Sequence, residues 1–214
     1  MARLVAELVV LAPPDGPCQA SEVEKWELTA AAVADAWTFV DAAFRFKRFL
    51  HDRKLPRPPG PPPTEEPNIA YNISGNRFRE AVKGLRELRD RYQHLDVYAP
   101  QMADAEEPVW GDLAWITYDE ATERFNCNVL VTATPTTTGT AHNFINPVGK
   151  AIQTSPDLIT LTAFGQAVNL CEIHRAMTEY VADLSRVMAL QFDGLPVNDS
   201  SMVMTLQMAP VPDP

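Results

Sequence analysis

The chain has 214 residues, of which 46% are hydrophobic, and its formal net charge is −10. This length fits one domain with a buried core, and the acidic balance excludes a protein that coats nucleic acid without specificity. The three cysteines are scattered along the chain, which excludes a disulfide framework and favours free thiols in a cytoplasmic protein.

The first element is the apolar stretch "LVAELVVLA" in residues 2–12, which predicts a short strand or loop ended by the turn sequence "PPDG". Glu7 interrupts this stretch, and it is too short to span a bilayer. It also lacks the layout of a secretory signal. The sequence therefore predicts a cytoplasmic protein without a membrane partner.

A long helix is predicted over residues 21–53. Ser21 and Glu24 have the spacing of a capping box at its start. The apolar residues that follow alternate between spacings of three and four, which is typical of one buried helix face. They are Val23, Trp26, Ala30, Val33, Trp37, Val40 and Phe44.

Seven prolines in "LPRPPGPPPTEEPN" predict an exposed, partly extended connection over residues 55–67. The next helix is expected from Ser74 or Asn76 to about His94, and Pro100 is expected to prevent its continuation. Its buried face is predicted to comprise Phe78, Val82, Leu85, Leu88 and Tyr92.

The period changes in residues 109–132, where alternating apolar residues predict strands at 109–117 and 124–132 joined by a polar turn. Residues 133–157 are predicted to form a long threonine-rich loop, and a last helix is expected from Pro156 to about Gln191. The stretch "SMVMTLQM" alternates like a strand that would pair with the first element.

These elements predict a mainly α fold in a single domain, residues 1–214. The expected architecture is an antiparallel helix bundle with an inserted β-hairpin at about 109–132 and short terminal strands. Three long helices would leave apolar surface exposed, so we expect a homodimer.

The charges are concentrated in one region. Residues 45–91 hold twelve of the eighteen basic residues and six acidic ones, so this segment is +6 and the remainder is −16. A basic zone on an acidic body can meet a polyanion locally, whereas a solvated helix face of mixed charge is the structural alternative.

Within that zone, "RELRDRYQHLD" places Arg89 and His94 five positions apart. In an unbroken helix their side chains would point about 140° apart, so they converge only where the helix ends or bends near Tyr92. Arg86, Asp90 and His94 instead share one stripe. An aspartate one turn from a histidine can fix its tautomer, and the alternative is a ladder of stabilising ion pairs.

The combination Arg89-Asp90-x-x-x-His94 after two helices resembles the RxxxxH motif of the HEPN-like domain family. The hairpin "GDLAWITYD…ERFNCNV" and the long last helix are similar to the layout of bacterial members, over residues 21–190. The resemblance implies an all-α dimer with two motifs facing one cleft. Active members are metal-independent endoribonucleases, often toxins or defence effectors, and others are inactive modules.

The resemblance also implies roles for residues. His94 would act as general acid or base at the RNA 2′-hydroxyl, Arg89 would hold the scissile phosphate, and Asp90 would orient them. The basic zone would supply substrate-binding residues, namely Arg48, Arg53, Arg86 and Arg91. Neither a cofactor nor a metal is expected, since no metal-ligand spacing occurs among the histidines.

Three partners follow from the resemblance: a second copy of the chain, RNA or a nucleotide, and an antitoxin or other protein. Members silenced by a nucleotidyltransferase antitoxin have a tyrosine two residues after the histidine, where this chain has Asp96, so that regulation is not expected. The alternative function is a non-catalytic helical dimerisation or protein-interaction module.

Overall fold

The computed structural model describes residues 1–13, 18–52, 65–104, 110–132 and 152–191. These residues form six α-helices, a π-helical turn at Arg48–Asp52 and one four-stranded antiparallel sheet. The helices are α1 Ala2–Leu11, α2 Glu22–Lys47, α3 Glu65–Ala81, α4 Leu85–Gln93, α5 Leu95–Asp104 and α6 Leu170–Gln191. The strands are β1 Asp112–Asp119, β2 Arg124–Val131, β3 Asp157–Ala163 and β4 Gln166–Asn169.

The prediction of a mainly α bundle with an inserted hairpin is wrong, because the fold is mixed α/β. The predicted hairpin at 109–132 is confirmed as β1 and β2, but it is only half of the sheet. The other half is β3 and β4, formed by residues that were assigned to the loop and to the start of the last helix. The segment "DLITLTA" is rich in β-branched residues, which pack well on a pleated surface.

The first element is also different from the prediction, because residues 2–11 form a helix. Its buried residues, Leu4, Glu7 and Leu8, have helical spacing, but apolar residues on the other faces of the helix conceal this period in the sequence. The expected terminal strand pairing therefore loses its N-terminal member. Its other member, "SMVMTLQM", lies outside the described residues.

The predicted capping box of α2 is confirmed. The Ser21 hydroxyl accepts from the Glu24 amide at 3.3 Å, and the Glu24 carboxylate accepts from the Ser21 amide at 2.8 Å. The predicted apolar face is buried only in its later part, from Val33 onward, whereas Trp26 is 71% exposed. The first turns of α2 thus extend beyond the core.

The single helix predicted from residue 74 or 76 to residue 94 is wrong at its start and in its middle. Helix α3 begins at Glu65, within the segment predicted as a connection, and residues 82–84 separate it from α4. The predicted end near His94 agrees with the end of α4 at Gln93, but a separate helix, α5, follows at once and contains Pro100. Residues 53–64 of the predicted connection lie outside the described residues.

The strand order is β2-β1-β3-β4, so β2 and β4 are the two edges of the sheet. One face packs on the helices and contributes Leu113, Trp115, Ile159, Leu161 and Val168 to their core. Strands β3 and β4 are joined by the two residues Phe164 and Gly165, with φ angles of 54° and 70°. Two successive positive φ angles define the tight turn that suits the twist of a hairpin.

Helices α3 and α6 pack side by side in antiparallel directions. Arg77 of α3 forms an ion pair with Glu179 of α6 at 3.4 Å, and the Tyr71 and Tyr180 hydroxyls are 2.9 Å apart. Gly75 permits this approach, since a Cβ there would lie 3.1 Å from the Tyr180 ring. In the described part of the chain, no helix has the length and apolar character to cross a membrane.

Candidate functional site

Arg89, the predicted phosphate ligand, is directed toward α2. Its Nε donates to Asp41 Oδ1 at 2.8 Å, and its guanidinium lies 4.8 Å from the centre of the Phe44 ring. The side chain is only 17% exposed. A cation in this position joins α4 to α2 and has little surface left for an external phosphate.

His94 is the residue that follows α4, and its side chain is exposed. Helix α4 therefore ends next to Tyr92, which is the condition under which Arg89 and His94 could converge. Within the described ranges, however, the hydrogen bonds and ion pairs of Arg89 run to Asp41 and Asp90, and none joins it to His94. Asp90 also pairs with Arg86 at 3.6 Å, which is the ion-pair ladder that the spacing allowed.

Arg91, a predicted substrate ligand, contacts the β3–β4 turn instead. Its Nη1 donates to the Phe164 carbonyl at 3.0 Å, and its Nη2 lies 2.6 Å from Glu87. The adjacent Tyr92 stacks on Trp37 of α2, with ring centres 4.1 Å apart. The sequence "RDRY" thus connects α4 to α2 and to the β3–β4 turn.

The other predicted substrate ligands lie on separate elements. Arg86 is exposed on α4, and Arg48 is exposed in the π-helical turn after α2. Arg53 lies outside the described residues. Of the seven predicted site residues, the structure brings Arg89, Asp90 and Arg86 together as a charge ladder on α4.

A second region, not anticipated from the sequence, has the shape of a binding site. A cleft of about 1040 Å³ lies between α3, the first half of α6 and the edge strand β4. We call it the β4 cleft. It is lined by Asn76, Arg77, Glu80, Ala81, Gly84, Thr160, Ala167, Val168, Asn169, Glu172, Arg175, Ala176 and Glu179.

The two arginines of the β4 cleft are held by acidic partners. Arg77 pairs with Glu179, and Arg175 lies 3.7 Å from Asp157, which is 1% exposed. The Asp157 carboxylate also accepts from the amides of Leu158 at 2.7 Å and Gln153 at 3.0 Å. These backbone donors and Arg175 compensate for the burial of its charge.

The remaining charges of the lining are negative. Glu80 is exposed and pairs with Lys83 at 3.8 Å, outside the cleft. Glu172 is exposed in the first turn of α6, and its carboxylate has no ion pair or hydrogen bond among the described residues. The backbone amide of Glu172 donates to Asn169 Oδ1 at 2.9 Å, which fixes the residue close to β4. The cleft therefore presents uncompensated negative charge.

One pattern in the sequence indicates the β3–β4 hairpin beside this cleft. "LITLTAFGQAVNL" has two alternating segments flanking Phe-Gly, but phenylalanine is unusual at a positive φ. Phe164 tolerates that conformation because it is 6% exposed and packs against Trp37 and Tyr98. These contacts come from α2 and α5, so the local sequence does not reveal them.

A scan against protein-family models, a search of curated proteins and a search of solved structures each found no match to this chain. The resemblance to the HEPN-like family accordingly stays a prediction. Over the described ranges, no group of three or more histidine, cysteine, aspartate or glutamate side chains is placed to hold a metal ion. The function of the β4 cleft is therefore inferred from its geometry alone.

Proposed function

We propose that this chain is a non-catalytic protein-interaction module that binds its partner in the β4 cleft. The "RDRY" segment of α4 then has a structural role, since it fixes the β3–β4 turn relative to α2. This proposal develops the alternative that the sequence left open. A cytoplasmic location is part of it, because Cys18, Cys127 and Cys171 are all free thiols.

The observation that carries the proposal is the form and lining of the β4 cleft. Its volume lies near the upper end of the range for ligand pockets, about 1,000 Å³, and its exposed rim suits an extended chain. Among the described residues that line it, none is a histidine, cysteine or lysine. The floor of the cleft is apolar, since Val168 and Ala176 are buried, and its rim is charged, which is the layout of an interface core and rim.

The metal-independent ribonuclease stays a second candidate. It is favoured by one observation, the exposure of His94 at the end of α4. For this reaction Arg89 would have to leave Asp41 and Phe44 before it could bind a phosphate. The homodimer and the antitoxin partner also stay predictions.

The test is a selection of random 12-residue peptides, displayed on phage, against the folded protein. The affinities of enriched peptides are then measured by fluorescence anisotropy for the wild type and for Ala167→Trp, which places a large ring in the β4 cleft. We expect the substitution to weaken binding by about tenfold or more, since it removes the space that the peptide needs.

Ala42→Trp, at an exposed position on α2, is the matched control and is expected to bind as the wild type does. Equal affinity of the Ala167→Trp variant for the enriched peptides would contradict the proposal. A selection that enriches no peptide above the level of a blank surface would contradict it as well.

A further inference from the structure

The unpaired edge of β4 is the feature of the β4 cleft that best indicates which class of partner binds there. Among the described residues, β4 pairs with β3 alone, and Ala167, Val168 and Asn169 of this strand line the cleft. We propose that the partner is an extended peptide with basic side chains, which adds to the sheet as a strand beside β4. This inference depends on the proposed function and names the partner class.

The register of the hairpin determines which backbone groups are free. Ala163 and Gln166 flank the two-residue turn, so they form the first hydrogen-bonded pair. Because hydrogen-bonded and non-hydrogen-bonded pairs alternate, Thr162 and Ala167 form the next, non-hydrogen-bonded pair. The amide N–H and the carbonyl of Ala167 therefore point away from β3.

Asn169 occupies the corresponding position two residues later, and its N–H points in the same direction. Its carbonyl begins the hydrogen bonding of α6, and its side chain caps the amide of Glu172. The free edge thus offers donors at Ala167 and Asn169 and an acceptor at Ala167, spaced by about 7 Å. This pattern matches the backbone of an extended peptide.

The side chains around that edge select the charge of the peptide. Arg77 and Arg175 are already paired with Glu179 and Asp157, so they offer little attraction to an anion. Glu172 has no such partner in the described part of the chain and lies one turn after the edge strand. A lysine or arginine of the added strand would neutralise it, and the net charge of −10 favours the approach of a cation.

The probes are N-acetylated seven-residue peptides that alternate valine with lysine or valine with glutamate. A third peptide repeats the cationic sequence with every backbone amide N-methylated, which removes the N–H donors from both of its edges. Binding is measured by isothermal titration calorimetry to the full chain. We expect the cationic peptide to bind about tenfold more tightly than either of the other two.

Ala167→Pro tests the edge directly, because proline removes the outward N–H and leaves the bonds between β3 and β4 intact. Ala167→Val keeps that N–H and is the matched control. We expect the proline variant to bind the cationic peptide about tenfold more weakly than the valine variant does. Glu172→Gln is expected to reduce the preference for the cationic peptide, and Glu120→Gln, in the β1–β2 turn, to leave it unchanged.

Several outcomes would overturn the inference. Equal binding of the N-methylated peptide is one, and it does not depend on how any variant folds. Equal binding by Ala167→Pro and Ala167→Val would exclude strand addition. If either of these results were found while Ala167→Trp still weakened binding of the selected peptides, the proposed function would be retained and only strand addition would be excluded. A wild-type dimer by light scattering that Ala167→Pro converts to a monomer would make a second copy the occupant.

Discussion

Arg89 donates to Asp41 at 2.8 Å across 48 positions of the sequence, and this contact joins α4 to α2. Three residues further along α4, Tyr92 stacks on Trp37 of the same helix α2. Between them, Arg91 donates to the carbonyl of Phe164. The segment that resembles a ribonuclease motif therefore holds α4 between α2 and the hairpin that forms the β4 cleft.

Replacement of Arg89 by alanine is expected to lower the free energy of unfolding by about 1–2 kcal/mol. The loss of stability stays in this range because Asp41 would keep a second cationic partner, since Arg45 lies 2.6 Å from its carboxylate. The measurement is urea denaturation followed by circular dichroism. Arg86→Ala, at a side chain 77% exposed, is the matched control and should change stability by less than about 0.5 kcal/mol.

A double-mutant cycle of Arg89→Ala with Asp41→Ala isolates the pair. We expect a coupling free energy of about 1 kcal/mol between the two substitutions. Strict additivity of the two losses would show that the contact does not stabilise the fold.

His94→Ala is expected to leave the stability unchanged, because the side chain is exposed at the end of α4, and neither this variant nor the wild type is expected to cleave RNA. The assay incubates the purified protein with mixed RNA in EDTA, so that only metal-independent cleavage is seen. Cleavage by the wild type that His94→Ala abolishes at an unchanged melting temperature would establish the ribonuclease instead. The exposed Arg86→Ala variant serves as the control for a general loss of basic charge.

Glu7→Gln is expected to stabilise the protein at neutral pH. Glu7 is 8% exposed, and its Oε2 has no hydrogen-bond partner in the described structure. Burial, together with the nearby Asp35 carboxylate, raises the pKa of Glu7. A folded-state pKa above the unfolded value means that the ionised form destabilises the fold, and this penalty develops as the pH rises through the folded pKa.

The gain from Glu7→Gln should be about 1 kcal/mol at pH 7.5 and should vanish below pH ~3, where Glu7 is protonated in both the folded and the unfolded state. Thermal melts across this range measure it. Glu24→Gln should show the opposite sign, because the hydrogen bonds of Ser21 lower the pKa of Glu24. The loss of stability caused by Glu24→Gln should be present at neutral pH and should disappear on acidification. A constant effect of Glu7→Gln at every pH would contradict the assignment.

Gly111 and Gly165 form a matched pair for a test of the sheet. Both have positive φ angles, of 76° and 70°, so alanine is strained at either position by about 1 kcal/mol. A Cβ at Gly111 would lie 2.5 Å from the Thr162 carbonyl oxygen, whereas nothing lies within 4 Å of one at Gly165. Gly111→Ala should therefore cost about 2 kcal/mol more than Gly165→Ala, as measured by chemical denaturation. Similar costs would contradict the close approach of Gly111 to β3.

Elements with strong local signals were predictable from the sequence. The capping box at Ser21 and the β1–β2 hairpin are encoded within short segments, and both were confirmed. The hairpin of β3 and β4 was missed because Phe164 occupies a turn position that normally takes glycine or asparagine. Its conformation is set by aromatic neighbours that are distant in the sequence.

The direction of Arg89 was likewise not predictable. The spacing to His94 was visible, but the decisive partner, Asp41, lies on another helix, 48 residues earlier. No local pattern indicates such a contact, because it depends on how two helices pack. The β4 cleft has the same origin, since it arises where α3, α6 and an edge strand meet.

The most direct measurement is the hydrogen exchange of the Ala167 amide, followed by NMR with and without the alternating valine-lysine peptide. Strand addition would bury this N–H in a new hydrogen bond, so we expect its exchange to slow by about tenfold or more, while the exposed β2 edge exchanges as before. An Ala167 amide that exchanges at the same rate in the presence of saturating peptide would contradict the account.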